Sequence, residues 1–173
     1  MGYVDDSTQA KRGDIVLFKG SGLVYEILSR ALKFFEWNWD RWGWHLGFVS
    51  GDSPFTDVVS ICESTGKGVT ESYLDLTRKD IRVYRWFDEE PRRYKVRNFV
   101  SAHLGCDYDV AQYFWTGLAI IIRHYFNHPI PKLLDNKFCC WELVGEFCAD
   151  MGKPIVSKYD VIILPDILKV VDC

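Results

Sequence analysis

The sequence has no long hydrophobic run and no excess of either charge. Its longest strongly apolar stretch, Phe114 to Ile122, is too short to cross a bilayer and is followed by Arg123 and His124. The 21 Lys and Arg are scattered and matched by 24 Asp and Glu, for a net charge of −3. No basic surface typical of nucleic-acid binding is therefore expected. We predict neither stable membrane insertion nor a nucleic-acid partner.

The N-terminus lacks the features of an export signal. Residues 1–6 are polar and acidic, without a basic region, an apolar stretch or a cleavage site. Asp6 occupies the position where a myristoylation signal has Ser or Thr, so Gly2 is not expected to be acylated. We expect a cytoplasmic protein, or a virion-associated one if the chain is viral.

The cysteines lack the paired spacing of a disulfide framework; they lie at positions 62, 106, 139, 140, 148 and 173. Without an export signal, reduced thiols are expected. A zinc site needs close pairs such as Cys-x-x-Cys, and only Cys139, Cys140, Cys148, His124 and His128 come near that pattern. We therefore predict no metal site and no other cofactor.

The chain also has no internal repeat and no linker rich in Pro or Gly, so residues 1–173 are predicted to form one domain. An apolar fraction of 48% supplies the material for its core. Short apolar runs predict strands at 14–18, 45–50, 57–63, 81–86 and 161–163. Helical spacing predicts helices at 23–35, 94–104, 110–122, 140–151 and from 165. The order of elements indicates an α+β fold.

Cys140 is the first residue of the helix predicted at 140–151. A thiol at a helix start meets the positive end of the helix dipole and unpaired N–H groups, which favour the thiolate and can stabilise an oxyanion. Lys137 adds positive charge nearby. The alternative is that Cys139, Cys140 and Cys148 are small buried apolar residues, as free cysteines usually are. Taken alone, Cys140 favours that structural interpretation.

His45 and Glu63 are the candidate base and the candidate orienting acid. Each lies on a predicted strand, and neighbouring strands are about 5 Å apart, so the two side chains can pair if the registers match. A catalytic histidine needs one ring nitrogen facing the thiol and the other held by an acceptor that fixes the tautomer. The alternatives are a structural histidine and a solvated glutamate at a turn.

Residues 13–16, 45–47, 63–69 and 140–144, in that order, resemble the circularly permuted NlpC-type papain-like hydrolases, the YiiX-like group. The resemblance spans about residues 11 to 170 and includes 105–109 and 164–168. It implies that Cys140 is the nucleophile, His45 the base and Glu63 the orienting residue. It further implies a helix packed on a small antiparallel, barrel-like sheet, with the histidine strand before the cysteine helix.

The resemblance implies acyl chemistry on a peptide or acyl substrate. Relatives cleave peptide or isopeptide amides, often in cell-wall peptides, and related permuted proteins such as lecithin retinol acyltransferase act on lipid esters. Here Trp141 stands where many relatives have Ser, and Cys139 stands where an aromatic residue is usual. These differences affect the shape of the cleft, and Cys139 is a competing thiol. We predict a cysteine amidase or peptidase; the alternatives are a lipid acyltransferase or thioesterase with the same triad, and a non-enzymatic module of a viral particle.

Four tryptophans lie within residues 37–44, directly before His45. Tryptophan rings stack on sugars and lipids, so this loop is expected to border the cleft. Trp42, Trp44 and Trp141 are the predicted substrate-binding residues. The alternative is that the loop is pinned onto the domain, because four exposed tryptophans would invite association.

Overall fold

A computed structural model describes residues 2–3, 9–21, 45–52, 57–109 and 137–155. In this part, the chain forms one antiparallel sheet and two helices. The strands are β1 (Gly2–Tyr3), β2 (Ile15–Phe18), β3 (His45–Asp52), β4 (Val58–Thr65), β5 (Gly68–Asp75) and β6 (Ile81–Arg85). The helices are α1 (Arg93–His103) and α2 (Cys140–Asp150). The predicted α+β class is confirmed.

The strands are arranged in the order β1-β6-β2-β3-β4-β5, and each neighbouring pair is antiparallel. A turn at Gly66 and Lys67 joins β4 to β5, with Gly68 at a φ of 93° beginning the second strand. The register between β3 and β4 shifts once, between Val49 and Gly51. Strands β3, β4 and β5 are thus consecutive in the chain and adjacent in the sheet.

Both faces of the sheet carry buried apolar side chains. On one face, Phe48 of β3 stacks on Phe147 of α2, with ring centroids 3.8 Å apart, and Phe99 of α1 meets both rings edge-on. Replacing such a buried Phe by Ala typically costs about 3–5 kcal/mol. A second cluster contains Val16, Val49, Val59, Ile61, Leu74, Leu76, Ile81 and Val83. The aromatic cluster joins the helices to the strands that carry the candidate site.

The strands predicted near residues 14–18, 45–50, 57–63 and 81–86 and the helices near 94–104 and 140–151 are confirmed. Strand β5 was not predicted. The elements expected at 23–35, 110–122, 161–163 and from 165 lie outside the described residues, as does the tryptophan-rich loop. Neither helix of the described ranges has the length and apolar character needed to cross a membrane.

Candidate active site

Helix α2 begins at Cys140, and Cys139 is its N-cap with an extended backbone. The Cys139 side chain accepts a hydrogen bond from the backbone N–H of Glu142. In return, the Cys139 N–H donates to Glu142 Oε2 at 3.3 Å. Such a reciprocal capping box satisfies two donors that a helix start otherwise leaves unpaired. The capping box therefore makes Cys140 the first helical residue.

The adjacent thiols differ in their surroundings. Cys139 is 0% exposed, and Cys140 is 5% exposed, which is less than we expected for a nucleophile. Burial, and then the negative charge of Glu142, raises the pKa of the Cys139 thiol well above its ordinary value. Cys139 is therefore held neutral as a capping group, which argues against it as a competing nucleophile.

His45 and Glu63 meet across strands β3 and β4, as their strand positions predicted. Glu63 lies directly opposite Gly47, and His45 is two residues before Gly47 on the same face. His45 Nε2 and Glu63 Oε2 are 2.7 Å apart. A Cβ atom added at Gly47 would lie 3.0 Å from the carbonyl oxygen of Cys62 and 3.3 Å from the Cβ of Glu63. Glycine at this position therefore leaves room for the diagonal pair.

The His45 ring interacts with a thiol as well as with an acid. Burial of the ring opposes protonation, but hydrogen bonds and charges from Cys140 and Glu63 together raise the pKa of His45 to about 10. Burial also opposes ionisation of Glu63, yet the hydrogen bond and charge of His45 and the hydroxyl of Ser72 lower the pKa of the carboxyl group. Because Nε2 faces Glu63, Nδ1 is the ring nitrogen left for Cys140. The arrangement favours an imidazolium at His45 beside an ionised Glu63.

Ser72 is a site residue that the sequence did not reveal. Its hydroxyl on β5 donates to Glu63 Oε1 at 3.0 Å. Once the Gly66 and Lys67 turn is recognised, the β4–β5 register places Ser72 near Glu63, but no motif marks this serine. The site therefore spans three strands and the start of a helix.

The segment before Cys140 is held by strand β4 and by the residues that follow α1. The hydroxyl of Ser64, next to Glu63, donates to the carbonyl oxygen of Phe138. Phe138 N–H in turn donates to the Asp107 carbonyl at 3.1 Å. Val69 N–H donates to the Cys106 carbonyl at 2.8 Å, which ties the residues that follow α1 to the start of β5. These bonds set the position of the cysteine helix relative to the His45 and Glu63 strands.

The predicted substrate-binding residues are less informative. Trp141 is 5% exposed and belongs to the aromatic core, so its contribution to substrate binding stays a prediction. Trp42 and Trp44 lie outside the described residues.

Over the described ranges, no three His, Cys, Asp or Glu side chains cluster as metal ligands. The five cysteines within those ranges are free thiols.

Comparison of the chain with models of known protein families finds no match, and comparison with curated proteins finds none either. The geometry around His45 and the motif order along the chain therefore carry the functional interpretation.

Proposed function

We propose that this protein is a cysteine hydrolase that cleaves an amide or isopeptide bond through Cys140, His45 and Glu63. The observation that carries the proposal is the position of His45, whose Nε2 lies 2.7 Å from the half-buried carboxylate of Glu63 and whose pKa is raised in part by Cys140, the first residue of helix α2. Nucleophile, base and orienting acid follow the logic of known triads, in which spatial arrangement matters and chain order does not.

The reaction starts from an ion pair. With the pKa of His45 raised to about 10, the ring carries a proton at neutral pH. In the proposed mechanism this proton comes from the Cys140 thiol, and the helix start favours the resulting thiolate. The thiolate attacks the carbonyl carbon, and unpaired N–H groups in the first turn of α2 stabilise the oxyanion. The C–N bond then breaks as the imidazolium gives its proton to the leaving amine. Water, deprotonated by His45, attacks the thioester and releases the acid.

The fold and substrate class rest on the motif resemblance. An antiparallel sheet with the histidine strand before the cysteine helix supports a permuted papain-like architecture. The resemblance favours peptide or isopeptide amides, including those of cell-wall peptides. The chemistry needs an ionised Glu63, because a neutral carboxyl group would not stabilise the imidazolium.

The test uses p-nitrophenyl acetate as a generic acyl donor. The wild-type protein should release a burst of p-nitrophenolate and gain one acetyl group on Cys140, located by peptide mass spectrometry. Cys140→Ser should abolish the burst. A wild-type protein that shows no burst, or an acetyl group on another cysteine, would contradict the proposal.

Cys139→Ser is the matched control, because the two thiols are adjacent in one chain segment. Serine is a good N-cap, so this variant should keep the helix start and the burst of the wild type. Circular dichroism of both variants checks that the fold survives. Equal loss of the burst in both variants would mean that the helix start, and not the Cys140 thiol, is responsible.

A further inference from the structure

The carboxylate of Glu63 is held at both oxygen atoms. Oε2 lies 2.7 Å from His45 Nε2, and Oε1 accepts the hydroxyl hydrogen of Ser72 at 3.0 Å. A carboxylate bound at one oxygen can rotate about its last side-chain bond, whereas two partners on different strands fix its plane. The second contact therefore determines the direction from which Oε2 approaches the histidine ring.

The strand registers explain why Ser72 reaches this carboxylate. Glu63 lies opposite Gly47 on one side and opposite Thr70 on the other, and Ser72 is two residues beyond Thr70. Side chains two residues apart on a strand share a face. The side chains of His45, Glu63 and Ser72 thus form one polar row across β3, β4 and β5.

We propose that Ser72 is a positioning residue of this site, acting through Glu63; the inference rests on the function proposed above. The hydroxyl of Ser72 donates a hydrogen bond to Oε1 of Glu63, and this bond orients the carboxylate towards His45. A hydrogen bond to an ionised acceptor also favours the ionised form. Ser72 thereby keeps Glu63 both aligned and negatively charged.

The electrostatics agree with this role. Burial acts to raise the pKa of Glu63, while His45, Ser72 and the charge of Arg78 lower it overall. The Glu63 side chain is 16% exposed, so solvent replaces a lost donor only in part. Removing the hydroxyl should therefore move the titration of Glu63 measurably.

The experiment compares Ser72→Ala with Ser72→Thr. The alanine variant should acetylate Cys140 with p-nitrophenyl acetate about tenfold more slowly, the size expected for one hydrogen bond to a charged group. Its Glu63 pKa, followed by the carboxyl carbon shift in NMR, should rise by about one unit. Threonine keeps a hydroxyl on the same Cβ atom and should restore both quantities.

Ser60→Ala is the matched control. Ser60 lies on β4, and its hydroxyl donates at 3.1 Å to a different acid, Glu71. This variant loses an equivalent serine–glutamate bond in the same sheet, and it should leave the acetylation rate and the Glu63 titration unchanged. Equal slowing in Ser60→Ala and Ser72→Ala would indicate a general effect on the sheet and overturn the positioning role.

The remaining outcomes separate this inference from the proposed function. If acetylation of Cys140 depends on His45 but Ser72→Ala changes neither the rate nor the Glu63 pKa, the role of Ser72 is wrong and the hydrolase proposal stands. If acetylation does not depend on His45, both are wrong. Rescue by Ser72→Thr together with a raised Glu63 pKa in Ser72→Ala would support the positioning role.

Discussion

The described part of the chain contains two histidine–glutamate pairs, His45 with Glu63 and His103 with Glu146, and Cys140 acts on the first of them. His45 Nε2 lies 2.7 Å from Glu63 Oε2, and Cys140 also contributes to the raised pKa of His45. On helix α1, His103 Nε2 lies 3.6 Å from Glu146 of α2, and its Nδ1 donates to the Phe99 carbonyl at 2.8 Å. The first pair joins two strands beside Cys140, the candidate nucleophile, whereas the second joins two helices.

The difference lies in the second nitrogen of each ring. At His103, Nδ1 donates to the Phe99 carbonyl and Nε2 lies in ion-pair range of Glu146, and the ring also stacks on Phe99 with centroids 4.0 Å apart. The Glu146 bond raises the pKa of His103, burial opposes that rise, and the Phe99 carbonyl adds to it. A raised histidine pKa beside a glutamate is therefore common to a structural pair and a candidate catalytic pair. The influence of the Cys140 thiol on His45 distinguishes the candidate catalytic pair from the structural pair.

The largest effect expected is that of His45→Gln. Acetylation of Cys140 by p-nitrophenyl acetate at neutral pH should fall about 10³-fold, within the range for loss of an acid–base group. His103→Gln should stay within about threefold of the wild type, because the His103 ring interacts with Phe99, Phe138 and Glu146. The measurement is the burst rate of p-nitrophenolate. Comparable losses in the two variants would erase the distinction between the pairs.

The His45→Gln variant should also change how the alkylation of Cys140 depends on pH. A group with a raised pKa keeps its proton up to that value, so His45 remains charged until about pH 10. An unassisted cysteine ionises near pH 8.5. The ratio of wild-type to variant alkylation of Cys140 by iodoacetamide should therefore be greatest near about pH 6 and approach one towards about pH 10. A ratio that does not change with pH would argue against an ion pair.

Glu63→Gln should come next, with about a 10²-fold slower burst. The amide keeps the shape of the side chain but removes the negative charge that favours the imidazolium. Glu146→Gln is the matched change in the second pair and should leave the burst within about twofold of the wild type. Burst rates of the two variants, measured side by side, would sharpen the comparison; equal rates would break it.

Gly68 begins β5 where that strand meets the residues that follow α1. Gly68 has a φ of 93°, and an added Cβ would lie 2.4 Å from the Cys106 carbonyl oxygen. Gly68→Ala should cost about 2 kcal/mol in unfolding free energy, from strain and from this contact. Gly105→Ala is the control, since its φ is also positive but nothing lies within 4 Å. It should cost about 1 kcal/mol by urea unfolding, and a larger loss than that of Gly68→Ala would contradict this account.

The smallest effect is a stability difference at His103. Because its folded pKa is raised above the unfolded value near 6.5, protonated His103 stabilises the fold fully below about pH 6.5. That contribution is lost as the pH rises through the folded pKa. His103→Gln should therefore lower the unfolding free energy by about 0.5 kcal/mol in acid and by less in base. The effect is small because Glu146 is partly exposed and solvent screens its charge. Urea unfolding at several pH values checks the trend, and a larger cost in base would contradict it.

The sequence predicted strands where apolar alternation was strong, and it failed where stability comes from pairing. In β5, Thr70, Glu71 and Ser72 are three successive polar residues, so alternation is hidden. The strand forms because its whole length pairs with β4 beyond a two-residue turn. Pairing between strands is a tertiary interaction, and a local pattern does not report it.

The main residues of the candidate site could be predicted because their signals in the sequence are local. A cysteine at a helix start and a histidine at a strand start have local signals, and β3 and β4 follow each other in the chain. The role of Ser72 depends on register alone. The sequence already favoured Cys140 over Cys139, and the structure adds that the Glu142 side chain reaches back to the Cys139 N–H, which makes Cys139 the cap. The sequence carried both thiols but not that bond.

The buried thiol of Cys139 can report on local unfolding of the start of helix α2. Cys139 is fully buried and bonded within the first turn of α2, so an alkylating reagent reaches it only when that turn opens. In a Cys140→Ser background, the ratio of its labelling rate in the native protein to that in the unfolded chain gives the equilibrium constant for opening. Cys139 thus reports how often the helix start that carries Cys140, the candidate nucleophile, opens by local unfolding.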